Sequence, residues 1–144
     1  MTTLTQRVEF SCAYVMRYPS KLVDQPVSRF EPHQYRLEAT VVRQGLDANK
    51  LVIGFDEFRD MLKQIVPAFS FIYQRQSEDE YLAEIFKSKG LSTSGYNFPI
   101  STENLVQEFA QELQHRLSYD HPGVSVTNAK LYETANSYAE WSAK

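Results

Sequence analysis

One cysteine, Cys12, is the only thiol among the 144 residues, which excludes an internal disulfide and any cysteine-based metal cluster. No apolar run approaches the roughly 18 residues that a membrane-spanning helix needs, so no membrane partner is expected. The opening stretch from Met1 to Arg7 has neither the basic start nor the apolar block of a secretory signal, and a cytoplasmic location is expected. Basic residues are scattered, and the net charge is −3. That charge offers no electrostatic footprint for a nucleic-acid partner. No internal repeat and no low-complexity tract interrupts the chain.

What is present reads as a globular protein. A hydrophobic fraction of 42% with 23% charged residues is that of a folded chain rather than a disordered one. The length suits a single domain, residues 1–144, with a buried core. Nine phenylalanines and nine tyrosines fall largely in alternating runs, as expected of core or subunit-interface packing.

Two alternating stretches stand out. Val8, Phe10, Cys12, Tyr14 and Met16 share one face of a predicted strand, and Tyr35, Leu37, Ala39 and Val41 share one face of a second, from about Gln34 to Arg43. Arg17 to Phe30, with two prolines, reads as a loop. Gly45 to Asn49 reads as a turn and Lys50 to Phe55 as a short third strand. The spacing of Phe55, Phe58, Met61, Leu62, Ile65 and Val66 then predicts an amphipathic helix that Pro67 ends. Glu78 to Lys89 reads as a second helix closed by Gly90, followed by a polar loop through Tyr96. Ser101 is placed to cap a third helix, with Glu103 in its positive first turn and Leu105, Phe109, Leu113 and Leu117 on its apolar face. Strands at about Val124–Glu133 and Ser137–Trp141 complete the chain. The expected class is α+β: a four-stranded antiparallel sheet with helices on one face. Its open edges call for covering or pairing, which favours a homo-oligomer.

Phe10-Ser11-Cys12-Ala13-Tyr14 and Glu31-Pro32-His33-Gln34-Tyr35 resemble the two zinc-binding stretches, F-S-A-A-H and H-G-H-N-Y, of the 6-pyruvoyl tetrahydropterin synthase / 6-carboxytetrahydropterin synthase family. Val52-Ile53-Gly54-Phe55 is similar to its V-M-D-F, Ser101-Thr102-Glu103-Asn104-Leu105 to its P-T-x-E-N-L helix start, and Leu131-Tyr132-Glu133-Thr134 to its V-x-E-T strand end. The resemblance runs in order over nearly the whole chain and implies the tunnelling fold, in which subunits join their sheets into a barrel, as trimers or hexamers. One departure is a longer stretch before Ser101, which makes about 76–96 an inserted helical segment.

The same resemblance locates a chemistry that the residues do not carry. The family's three zinc histidines correspond to Tyr14, Glu31 and His33, of which only His33 is retained. Glu31 and His33 remain as residual metal candidates, whereas a phenol ionises only near pH 10; no metal and no other cofactor is expected, with zinc the alternative. The family's cysteine base corresponds to Val27 and its aspartate–histidine relay to about Ser70 and Phe71, none of which can move a proton as the family's residues do. Cys12 is expected to be a small buried hydrophobe, and His115 and His121 to be solvated. The pterin anchor does survive in Glu133, whose two carboxylate oxygens match the paired donors of a 2-amino-4-oxo heterocycle. Thr134, Ser101 and Glu103 complete the expected ligand-binding set. The sequence thus implies a non-catalytic homologue that keeps a pocket for a pterin or guanine-like molecule. Its alternatives are a ligand-free module with a protein partner on 76–96, and a divergent metal-dependent lyase using Glu31 and His33.

Overall fold

The computed structural model describes residues 1–19, 26–45 and 51–144. Strands β1 (Thr3–Pro19) and β2 (Pro26–Arg43) are followed by helix α1 (Phe55–Ile65), strand β3 (Ser70–Gln74), helix α2 (Asp79–Ser88), strand β4 (Thr93–Tyr96), helix α3 (Thr102–Asp120) and strands β5 (Val124–Thr134) and β6 (Ser137–Ser142). Hydrogen bonding links the six strands in the order β4-β3-β1-β2-β5-β6.

The α+β class holds, but the sheet has six strands rather than four, and it is mixed rather than antiparallel. β3 pairs in parallel with β1 and β4 in parallel with β3, while β5 is antiparallel to β2 and to β6. The third strand predicted over Lys50–Phe55 is not one: residues 51–54 are irregular, and Lys50, like residues 46–49 of the predicted turn, lies outside the described residues. The predicted loop from Arg17 to Phe30 is strand at both ends, to Pro19 and from Pro26, its middle lying outside the described residues. The predicted polar loop before Tyr96 contains β4. No helix is long and apolar enough to cross a membrane.

The chain divides into two compact units. The first comprises Met1–Phe10, Tyr35–Val66 and Ser101–Lys144. Its core follows the predicted alternation: Val8 and Phe10 from β1, and Tyr35, Leu37, Ala39 and Val41 from β2, are all buried. Phe10 stacks on Tyr35 at 5.4 Å and meets Phe109 edge-on at 5.7 Å, the offset and T-shaped geometries that the aromatic quadrupole favours. On α3 the stripe Leu105, Phe109, Leu113 and Leu117 is buried, and the helix starts at a Ser101 cap whose hydroxyl accepts from the Asn104 N–H at 3.1 Å. On α1, Phe58, Met61 and Leu62 are buried as the spacing requires, but Phe55, at the helix start, is exposed.

A bulge interrupts the β2–β5 ladder between Thr40 and Val41, whose partners are Asn128 and Val126. The extra residue, Thr127, donates its hydroxyl to the Thr40 carbonyl at 3.3 Å, and the Val126 N–H donates to Gln114 Oε1 on α3 at 2.9 Å. The bulge therefore anchors the sheet to its helix through a side chain that takes a backbone donor out of the ladder.

The second unit comprises Ser11–Gln34 and Pro67–Ile100. Here Cys12 and Ala13 pair with Ser70 and Phe71, and α2 packs on β3 and β4. Gly95 lies opposite Tyr73, whose ring and the Arg75 side chain would both come within 2.9 Å of an added Cβ.

Removing the Gln114 acceptor leaves the Val126 N–H unpaired. Gln114→Ala is expected to lower stability by about 1–3 kcal/mol in urea unfolding, while Gln114→Glu, which keeps an acceptor, should lose distinctly less.

Candidate functional site

Strand alternation delivers Cys12 and Tyr14 to the interior of the second unit. Tyr14 is 1% exposed, and its ring stacks on the His33 imidazole with centroids 5.4 Å apart and planes inclined by 23°. His33 Nε2 is 3.6 Å from Glu31 Oε2, and Arg29 Nη1 is 3.9 Å from Glu31 Oε1. The three positions that the sequence assigns to a metal are therefore brought together, but as a stacked pair with a carboxylate beside it.

Zinc does not fit this arrangement. A catalytic zinc needs three protein donors converging at about 2.0–2.3 Å on one ion. In two rings stacked nearly face to face the phenol oxygen and the imidazole nitrogens lie in separate, nearly parallel planes, a poor arrangement for converging on one tetrahedral ion. One donor would also be a neutral phenol, the poorest of the set. Glu31 already faces both His33 and a guanidinium. Among the described residues there is no group of three or more His, Cys, Asp or Glu side chains able to hold a metal.

The positions corresponding to the proton-transfer groups are equally unsuited. Val27 lies within β2, and Ser70 and Phe71 open β3. The Ser70 hydroxyl is buried without a hydrogen-bond partner among the described residues, and Phe71 stacks on Tyr73 and meets Phe86 edge-on at 5.0 Å. Cys12 is 4% exposed, and burial pushes its thiol up to about 12. It packs as an apolar residue.

These residues border a feature that the sequence did not signal. The second unit contains a cavity of about 420 Å³ with Cys12, Ser70 and Phe71 on its wall and Phe30, Phe69 and Leu91 among its other lining residues. The nearest hint in the sequence is the run Phe69-Ser70-Phe71, in which apolar residues flank a position that the resemblance assigns to an acid–base pair.

The residues expected to bind a ligand lie in the first unit. Glu133 is half-buried and stands at a second irregularity, where the β5–β6 register shifts between Tyr132 and Thr134. A bulge there turns the Glu133 side chain out of the regular pleat. Thr134 accepts the Asn136 N–H on its hydroxyl at 3.2 Å and shapes the turn. Ser101 is engaged as the α3 cap. Glu103 is exposed and lines a cleft of about 400 Å³ with Gln107, Tyr138, Glu140 and Trp141. Of the four, only Glu103 is a lining residue of that cleft.

Nearby aromatic contacts were missed by the sequence reading: the Arg36 guanidinium lies 4.3 Å over the Tyr132 ring, and Tyr132 meets Tyr138 at 4.8 Å. The cross-strand pairs Arg36–Tyr132 and Tyr132–Tyr138 follow from register alone. The remaining histidines divide. His115 is exposed against Tyr119, but His121, expected to be solvated, is half-buried, with Nε2 at 2.7 Å from Glu57 Oε1.

The Cys12 thiol gives this geometry a pH signature. Above about pH 9 an unfolded chain ionises the thiol, whereas the folded chain holds its proton to about 12. The unfolded state then binds fewer protons, so stability falls as pH rises between those values. Cys12→Ala should flatten that slope relative to the parent in urea unfolding at pH 8 and pH 10. Iodoacetamide at pH 8 should label the thiol only once the chain is unfolded.

No curated protein matches the chain by sequence. Its fold is similar to an uncharacterised protein from Wolinella succinogenes at 16% identity and a TM-score of 0.68, with 100% of both chains covered. It is similar to the 6-pyruvoyl tetrahydropterin synthase of Caenorhabditis elegans at 13% identity and 0.63, covering 99% of this chain and 96% of that one. The Plasmodium falciparum synthase is similar at 15% identity and 0.62, with 98% of each chain covered. At such identities the likeness establishes the fold. Matched by the 6-pyruvoyl tetrahydropterin synthase family over residues 3–144, from the first strand to the last, the chain belongs to that family.

Proposed function

We propose that this member of the family is a non-catalytic homologue that binds a pterin or guanine-like molecule through Glu133. The observation that carries the reading is the Tyr14–His33 stack, which occupies with a packed ring pair the positions where the resemblance expects zinc histidines. The replacement of the proton-moving positions by Val27, Ser70 and Phe71 supports the same reading. A side chain that cannot polarise the substrate, together with none that can take its proton, leaves no route through the family's reaction.

Binding is a separate matter from turnover. Glu133 stands at a bulge on β5, with Thr134 in the adjoining turn. Its carboxylate is suited to two neighbouring N–H donors, and such a pair discriminates strongly against a ring that lacks them. Ser101 and Glu103 open the helix that packs on β5 and β6. The sheet ends at β4 and β6, and these open edges favour a homo-oligomer, trimeric or hexameric, with the ligand at a subunit boundary. The protein is read as cytoplasmic.

Isothermal calorimetry with a reduced pterin should show saturable binding that Glu133→Gln weakens by at least about tenfold, equivalent to about 1.4 kcal/mol. The same protein, supplied with zinc, should give no turnover of dihydroneopterin triphosphate above background. Absence of binding by the folded parent removes the ligand half of the proposal, and turnover removes the other.

A second reading is favoured by one observation on α2. Tyr81 and Ile85, one turn apart, are both exposed, an apolar stripe suited to a protein partner on 76–96. Tyr81→Glu with Ile85→Glu should then abolish capture of that partner without changing the protein's own assembly; unchanged capture would dismiss the idea.

A further inference from the structure

The cavity of the second unit has a chemistry that the pterin reading does not use. Among the described residues its wall carries no Asp, Glu, Lys or Arg, and its one imidazole is His33, which faces Glu31. Its lining includes Cys12, Ser70 and Phe71, all buried, so it reaches inward to residues of the core from an open mouth. Its mouth exposes what a soluble face normally hides: Phe69 is 80% exposed, Phe30 53% and Leu91 50%. Phe30 lies parallel to Phe71, with centroids 6.3 Å apart, which gives the wall a flat aromatic surface.

We infer that this cavity is a binding site for a neutral, largely apolar aromatic small molecule. Three features select that class. A volume of about 420 Å³ is in the range of pockets that enclose compact organic ligands, which suits about two or three rings. With no Asp, Glu, Lys or Arg among the described lining residues, and His33 already turned to Glu31, a carboxylate, phosphate or ammonium group would find no strong counterion in a desolvated site. The parallel phenylalanine faces suit a planar ring, which would stack in the offset manner that aromatic pairs favour. A polar bicycle such as a pterin would lose more hydration here than the wall returns, so this site is independent of Glu133.

Occupancy also gives a use to the exposed rim, because a bound ring would cover Phe30, Phe69 and Leu91 together. The Cys12 thiol, held neutral by burial, adds no charge to the interior.

The test uses N-phenylnaphthylamine, a neutral aromatic fluorophore that brightens on leaving water. Titration of the full chain should give saturable enhancement at one probe per chain. Leu91→Glu places a charge on the lining and Ser92→Trp fills the mouth, and both positions are exposed, so neither disturbs the core. Each is expected to weaken probe binding by at least about tenfold while leaving the melting temperature unchanged. Enhancement that does not saturate, or that both folded variants leave unaltered, would overturn the inference. So would a loss of assembly mass for Leu91→Glu in light scattering combined with no probe binding by the parent, which would assign the face to a contact between copies. Pterin binding through Glu133 is read separately and stands or falls without this result.

Discussion

The two-residue period of β1 decides which of its side chains are buried. Because side chains alternate across a strand, burying Val8 and Phe10 also commits positions 12 and 14 to the interior, and Cys12 and Tyr14 are both buried. A buried position can hold a polar group only if its hydrogen bonds or charges are answered. Tyr14 is buried and stacks on His33, so this face of β1 is filled by packed rings. The alternation is what keeps the fold, and the proposed change of chemistry is confined to one face of it.

Much of this was legible in the residues. The buried faces of β1 and β2 were read directly from alternation, α1 and α3 from helical spacing and the Ser101 cap, because these elements are amphipathic along their length, and α2 from a charged stretch closed by Gly90. β3 and β4 were not legible for a physical reason. A parallel strand buried on both faces is a continuous run rather than an alternating one, and Ser70–Gln74 is only five residues long. β4 is four residues with a glycine opposite Tyr73, a composition that reads as loop until a partner strand is in place. The loop assigned to Arg17–Phe30 failed because prolines are tolerated at strand ends, where no ladder donor is required; Pro19 ends β1 and Pro26 begins β2.

The candidate site was legible only in outline. Comparison of motifs placed Tyr14, Glu31 and His33 together, but no one-dimensional pattern specifies that two rings will stack. Glu133 was singled out by its motif, whereas its position at a bulge depends on the register of β6. The solvated state expected of His121 was overridden by a hydrogen-bond contact with Glu57, 64 residues away in sequence. The apolar cavity was the largest omission: its wall is assembled from separated segments, so its chemistry is visible only after β1 and β3 have paired.

The central claim is that the old metal position is now a packed aromatic pair. Anomalous diffraction at the zinc absorption edge, from crystals grown with excess zinc, examines it at the atoms concerned. The account predicts continuous density for Tyr14 stacked on His33 and no anomalous peak between them and Glu31. A strong peak at about 2.0–2.2 Å from His33, Glu31 and the Tyr14 oxygen would contradict it.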